Sequence, residues 1–180
     1  MNEIVEAITA RRSIRRYSQN PVPDEALADI LQAARWSPSW ANTQCWEIVV
    51  ISDQDVKEKL QGVLSPKNPA SIAMVSAPIV LAVCGQVKKS GYYRGTPVTR
   101  FGDWMLYDLG LATQNILLAA ASHNLGTVVV GAFDHDQAGS ILCLPEEVEA
   151  VTLIPLGYPD HNPGPPQRRA VEDFVHLNTY

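Results

Sequence analysis

The sequence predicts an α+β or three-layer α/β domain, with helices packed on a central sheet of four or five strands. Three observations lead there. Apolar residues recur at helical spacing in several runs, short and almost wholly apolar runs lie between them, and no period marks internal repeats. The 180 residues, 46% hydrophobic and 18% charged, suit one domain over 1–180 with a sizeable core and no disordered tract.

Residues Glu3 to Ala10 place Ile4, Val5 and Ile8 at helical spacing, so Arg11, Arg12, Arg15 and Arg16 are expected at the end of a short first helix and in the turn beyond. A second helix follows Pro21 and Pro23. Its run "DEALADILQAARW" carries Leu27, Ile30, Leu31 and Ala34 at i, i+3, i+4 and i+7, with Asp24 and Glu25 where the helix dipole favours acids. Ser37-Pro38 ends it, because the residue before proline avoids helical geometry, and the loop "SPSWANTQCW" leads into the strand "EIVVIS". Ser52 is then expected to cap a third helix with Asp55 three positions on and Val56, Leu60, Val63 and Leu64 as its buried stripe.

The run "APIVLAV" has the composition of a strand covered on both faces, which places it in the centre of the sheet. Gly85 to Pro97 turns polar and glycine-containing, and is expected to be a binding segment or active-site lid. The longest helix is expected from Asp103 to His123, with Leu106, Leu109, Thr113, Ile116, Leu117 and Ala120 on its core face and Asn124 and Gly126 available for a left-handed cap. "TVVVG" resumes the sheet, a short helix covers Asp136 to Leu142, and "EAVTLIPLG" is the last strand. From 159 to 180 the chain is proline-rich and then apolar at Val171, Phe174, Val175 and Leu177. An extended arm lying across a partner subunit would keep those side chains from water.

Several function classes are disfavoured. A net charge of −5 argues against nucleic acid or an anionic membrane surface as a partner. Three distant cysteines and four isolated histidines suggest neither a disulfide framework nor a metal site. There is no P-loop, G-x-G-x-x-G, H-E-x-x-H or G-x-S-x-G, and Cys45 has no local base, so it reads as a small core residue. No signal-peptide pattern or membrane-length apolar run is visible, and a cytoplasmic location is the expectation.

What remains is "ARRSIRRYSQNPVP", with four arginines in six positions of an acidic chain. Guanidinium groups beside the Ser13 hydroxyl supply the bidentate, charge-assisted donors a phosphate dianion needs; a solvated basic turn would carry the same residues. The R-R-S-x-R block, the P-S-x-x-N-x-Q-x-W loop, the helix "DLGLATQNILLAAASHNLGTVVVGAF", the segment "LIPLGYPD" and the terminal "RRAVEDFVHLNTY" together resemble the FMN-dependent nitroreductase family, in that order and over nearly the full chain.

The resemblance implies a mostly antiparallel sheet, an intertwined homodimer with exchanged C-terminal arms, and one FMN per subunit. It implies that Arg11, Arg12, Ser13 and Arg15 hold the FMN phosphate, completed by Arg168 with Arg169 as its possible substitute; Arg16 has no counterpart. Pro38, Ser39 and Trp40 would pack on the partner's flavin, with Asn42 and Gln44 shaping their loop. Gly131 and Ala132 would meet the flavin N5 edge, and Lys67 or Asn68 its pyrimidine edge. Cys45 departs from the pattern, since proline usually follows the glutamine of that loop. No catalytic side chain is implied, because the chemistry belongs to FMN, with NADH or NADPH as donor and a nitroaromatic or quinone as acceptor. Two alternatives stay open: a dehalogenase-like or flavin-cleaving enzyme of the same fold, and a non-enzymatic module binding a phosphorylated partner or nucleic acid.

Overall fold

In the computed structural model, which describes residues 2–180, the chain runs α1 (Glu3–Ala10), α2 (Asp24–Arg35), β1 (Trp46–Ile51), α3 (Gln54–Gly62), α4 (Ser71–Ser76), β2 (Ile79–Gln86), β3 (Tyr92–Tyr93), β4 (Thr96–Pro97), α5 (Met105–Ser122), β5 (Gly126–Thr127), α6 (His135–Ile141) and β6 (Val148–Gly157). Single 3-10 turns lie at Trp40–Asn42 and Val171–Asp173. The main sheet has the order β1-β2-β6-β5 with every neighbouring pair antiparallel, while β3 and β4 form a separate hairpin. Among the described residues, no helix is long and apolar enough to cross a membrane.

The layering follows from alternation along β2. Val80, Ala82 and Cys84 face one core with Leu60, Ala73, Met74 and Phe133. Ile79, Leu81 and Val83 face the other with Ile30 and Ala34 of α2 and Leu109, Ile116 and Ala120 of α5. A strand buried on both faces needs apolar residues at every position, which is what made it recognisable.

The structure departs from the sequence reading at several places. Asp53, not Ser52, caps α3, its carboxylate accepting the Val56 N–H at 3.0 Å. Helix α4 falls in a stretch with no visible periodicity. The strand expected at "TVVVG" pairs regularly only over Gly126–Thr127, with one further bridge from Val130 to Leu153. Leu106 points outward and Asp108 inward on α5. The apolar residues of α1 are exposed, with Ile4, Val5 and Ile8 only partly covered by this chain.

The cap of α5 divides its labour differently from the expectation. Asn124 takes the left-handed conformation at φ 58°, and the Leu125 N–H closes on Ala120 O at 2.9 Å. Gly126 is small for another reason: a Cβ there would lie 2.5 to 2.9 Å from three carbons of Ile14. Ile14 is buried and β-branched, so it cannot swing aside. Gly126→Ala is therefore expected to cost about 2 kcal/mol, measurable by urea unfolding, as overpacking of a filled core does.

Candidate functional site

The arginine segment is not a turn. Beyond α1 it runs extended beside the sheet, where the Ile14 N–H donates to Thr127 O at 2.8 Å, the Ser18 N–H to Tyr158 O at 2.9 Å and the Asp160 N–H to Arg16 O at 3.0 Å. Tyr17 turns inward, its hydroxyl 2.7 Å from Ile14 O and 3.0 Å from Pro155 O, and burial pushes its pKa up, against a smaller opposing effect of Arg15. With Ile14 and Tyr17 anchored inside, the arginines between them are left outside.

Arg11, Arg12, Ser13 and Arg15 line a cavity of about 240 Å³ whose other wall is Pro163, Gly164, Pro166 and Arg168. The two ends of the chain thus meet there, and no acidic side chain is in the lining. The Arg11 pKa is lowered, first by burial and then by the charges of Arg12 and Arg168. Arg12 also donates to Thr9 O at 2.6 Å, closing the end of α1. Cations brought together without a counterion repel one another, and a dianion in the cavity would offset that cost. Arg16 is outside the lining. Arg169 turns away as well, donating to Asp173 O and lying 5.7 Å from the centre of the Phe174 ring.

A second group forms around the chain beyond β5. The Asn68 amide donates to Ala132 O at 3.2 Å and its oxygen accepts the Ala70 N–H at 2.9 Å, while the Ser65 N–H also reaches Ala132 O. Lys67 is exposed, with φ 61°. Asn68 rather than Lys67 is thereby held beside the Gly131–Ala132 backbone. Gly131 is exposed with open space where a Cβ would stand, so a flat ligand could lie against its main chain.

The third group is the loop after Pro38. Ala41, Asn42 and Gln44 all have positive φ, and the Gln44 N–H donates to Ser39 Oγ at 2.9 Å. Asn42 and Gln44 bond each other through their side chains at 3.3 Å, consistent with a role in shaping the loop. Asp108, 1% exposed, holds this arrangement from inside. Its two oxygens accept the Trp40 N–H at 3.0 and 3.2 Å, and Oδ2 accepts Ser90 Oγ at 2.6 Å and Cys45 Sγ at 3.6 Å. Burial, followed by the charge of Asp108, pushes the Cys45 thiol up to about 11, so it stays protonated and acts as a donor. The Trp40 ring packs on Trp104 at 5.0 Å between centroids. Asp108 and Ser90 were not expected in this group, because no local pattern in the sequence marks either of them.

A four-stranded antiparallel sheet between helical layers, carrying an arginine-lined cavity built from both chain ends, defines an α+β protein with a cationic cavity on its surface. The nitroreductase family model matches residues 8–158, and the chain belongs to that family. It is similar to a Methanothermobacter thermautotrophicus protein at 34% identity, covering 90% of this chain and 80% of that one. The solved structure of the NADPH:FMN oxidoreductase from Vibrio harveyi in complex with NAD+ is 30% identical with a TM-score of 0.84, covering 99% of this chain and 78% of the other. The Thermus thermophilus NADH dehydrogenase is 29% identical, covering 96% of each chain.

Proposed function

We propose that this protein is an NAD(P)H-dependent flavin oxidoreductase that binds FMN by its phosphate at Arg11, Arg12, Ser13, Arg15 and Arg168. The observation that carries the reading is the meeting of Arg11 and Arg168, from opposite ends of the chain, in one cavity without a counterion. Family membership and the names of the relatives, among them FMN and NADPH-flavin oxidoreductases, support the cofactor and the donor. The Gly131–Ala132 backbone would lie along the ring, with Asn68 fixing its position.

Bound there, FMN supplies two-electron chemistry between a reduced nicotinamide and an electron-poor acceptor such as a nitroaromatic or a quinone. The protein positions the reactants: donor and acceptor take turns in one open pocket, and solvent provides protons. A second copy of the chain would bring Pro38, Ser39 and Trp40 against the ring. Support for a homodimer comes from apolar surface left uncovered on α1 and along the arm, where Val171, Phe174, Val175 and Leu177 are all at least 48% exposed. The cytoplasm is the compartment that fits three free cysteines.

The purified protein is expected to be yellow, and anaerobic NADH or NADPH is expected to bleach its absorbance between about 350 and 500 nm as the flavin is reduced. A yellow protein that neither nucleotide bleaches would exclude the reductase reading.

A further inference from the structure

We propose that the segment from Lys88 to Arg100 recognises the donor, and that its cations select the 2′-phosphorylated nicotinamide dinucleotide over the unphosphorylated one. This rests on the flavin reading above, since it places the Trp40 loop at the ring.

The first observation is charge. Lys88, Lys89, Arg94 and Arg100 lie within this segment of a chain whose net charge is −5, and all four are exposed. Among the described residues none of them pairs with a carboxylate. The nearby Asp103 is occupied with backbone, accepting the Lys88 N–H at 2.5 Å and the Met105 N–H at 2.8 Å. Arg94 lies over the Tyr93 ring at 5.3 Å and Arg100 over the Phe101 ring at 4.6 Å. Stacking orders a guanidinium while leaving its edge donors free for an incoming anion.

The second observation is that the segment is anchored, and anchored beside Trp40. Strands β3 and β4 pair Tyr92 with Pro97 and Tyr93 with Thr96, and the Val98 N–H closes on Gly91 O at 2.9 Å. Gly91, at φ +80°, lets the Trp104 indole approach to 2.5 Å from where a Cβ would stand. Trp104 Nε1 donates to Thr99 Oγ1 at 2.8 Å, and buried Ser90 bonds Asp108, which also holds the Trp40 N–H. Trp104 then packs on Trp40 itself. The cations are thereby fixed to the same support as the loop that would face the flavin.

Charge complementarity selects the occupant. Both nicotinamide dinucleotides carry the same diphosphate, but only one adds a terminal phosphate monoester, a dianion with oxygens placed for bidentate guanidinium contacts. An exposed site of this kind is sensitive to salt, because its charges are screened over a Debye length of about 8 Å at physiological ionic strength.

The test compares the two donors on the holoenzyme and needs one binding measurement that is independent of turnover. NADPH is expected to exceed NADH in kcat/KM by about tenfold or more at low salt, the difference lying in KM, and added salt should compress the ratio. Arg94→Gln combined with Arg100→Gln is expected to reduce that ratio about tenfold, whereas Lys59→Gln on α3 leaves it unchanged. By calorimetry, adenosine 2′,5′-bisphosphate should bind more tightly than adenosine 5′-phosphate, and the double variant should lose the difference. A yellow enzyme bleached equally well by both donors, a ratio indifferent to the Arg94 and Arg100 changes, or equal binding of the two adenosine phosphates would each overturn the proposal and leave the flavin reading standing. A protein without flavin would remove the flavin reading, and the calorimetric comparison would still decide whether the segment prefers a 2′-phosphate.

Discussion

Arg11→Met combined with Arg168→Met is expected to weaken FMN binding by about a thousandfold, taking about 2 kcal/mol for each charge-assisted hydrogen bond that the substitutions remove. Methionine keeps much of the aliphatic stem, so packing changes little and the weakening reports the charge. The flavin-free protein should behave in the opposite sense. Burial and the neighbouring Arg12 and Arg168 lower the Arg11 pKa, so this positive charge opposes folding when no anion is present. Removing it should leave the apoprotein no less stable, as followed by thermal unfolding, while FMN titration by fluorescence quenching shows the weaker affinity. A double variant that binds FMN as tightly as the parent would remove the phosphate cavity from the proposal.

Asp108→Ala is expected to cost about 4 kcal/mol and to lower the melting temperature by roughly 12 °C for a chain of this size. The carboxylate satisfies a backbone N–H at Trp40 and a thiol at Cys45, both in the loop after Pro38, and a hydroxyl at Ser90 far along the chain. Truncation leaves the buried Ser90 hydroxyl and Cys45 thiol, and the half-buried Trp40 N–H, without this acceptor, the costly way to lose a hydrogen bond. Asp108→Asn keeps one oxygen and should cost about half as much. Because the Trp40 loop is tied to this group, the alanine variant should also bind flavin less well at temperatures where it remains folded. Calorimetric melting and FMN titration on the two variants separate these effects. An alanine variant with the melting temperature of the parent would show that the network contributes nothing.

The sheet centre and α2 could be read from the sequence because their signals are local. In β2 successive residues face opposite covered sides, so all must be apolar, and α2 shows its stripe at Ile30 and Ala34. The cap of α3 lies one residue beyond its expected place because Ser52 and Asp53 are both good capping types; the fold puts the bond on Asp53. The arginines could be read as a cluster, but not as an extended segment. That geometry is imposed by Thr127 and Tyr158, far along the chain. Asp108 was hidden most thoroughly, since a carboxylate inside a helix pattern reads as surface and its partners lie at 40, 45 and 90. The turning away of Arg169 into its own 3-10 turn likewise depends on Asp173 and Phe174.

The two walls of the arginine cavity differ in how they are held. Arg11 to Arg15 are stitched to the sheet edge, whereas among the described residues Pro163 to Arg168 donate no hydrogen bond to the rest of the chain and rest on packing alone. Peeling back the second wall breaks no strand pairing. Were FMN held there as proposed, its release would require only this local opening and not global unfolding, so the lifetime of the loaded protein and the lifetime of its fold would be separate quantities.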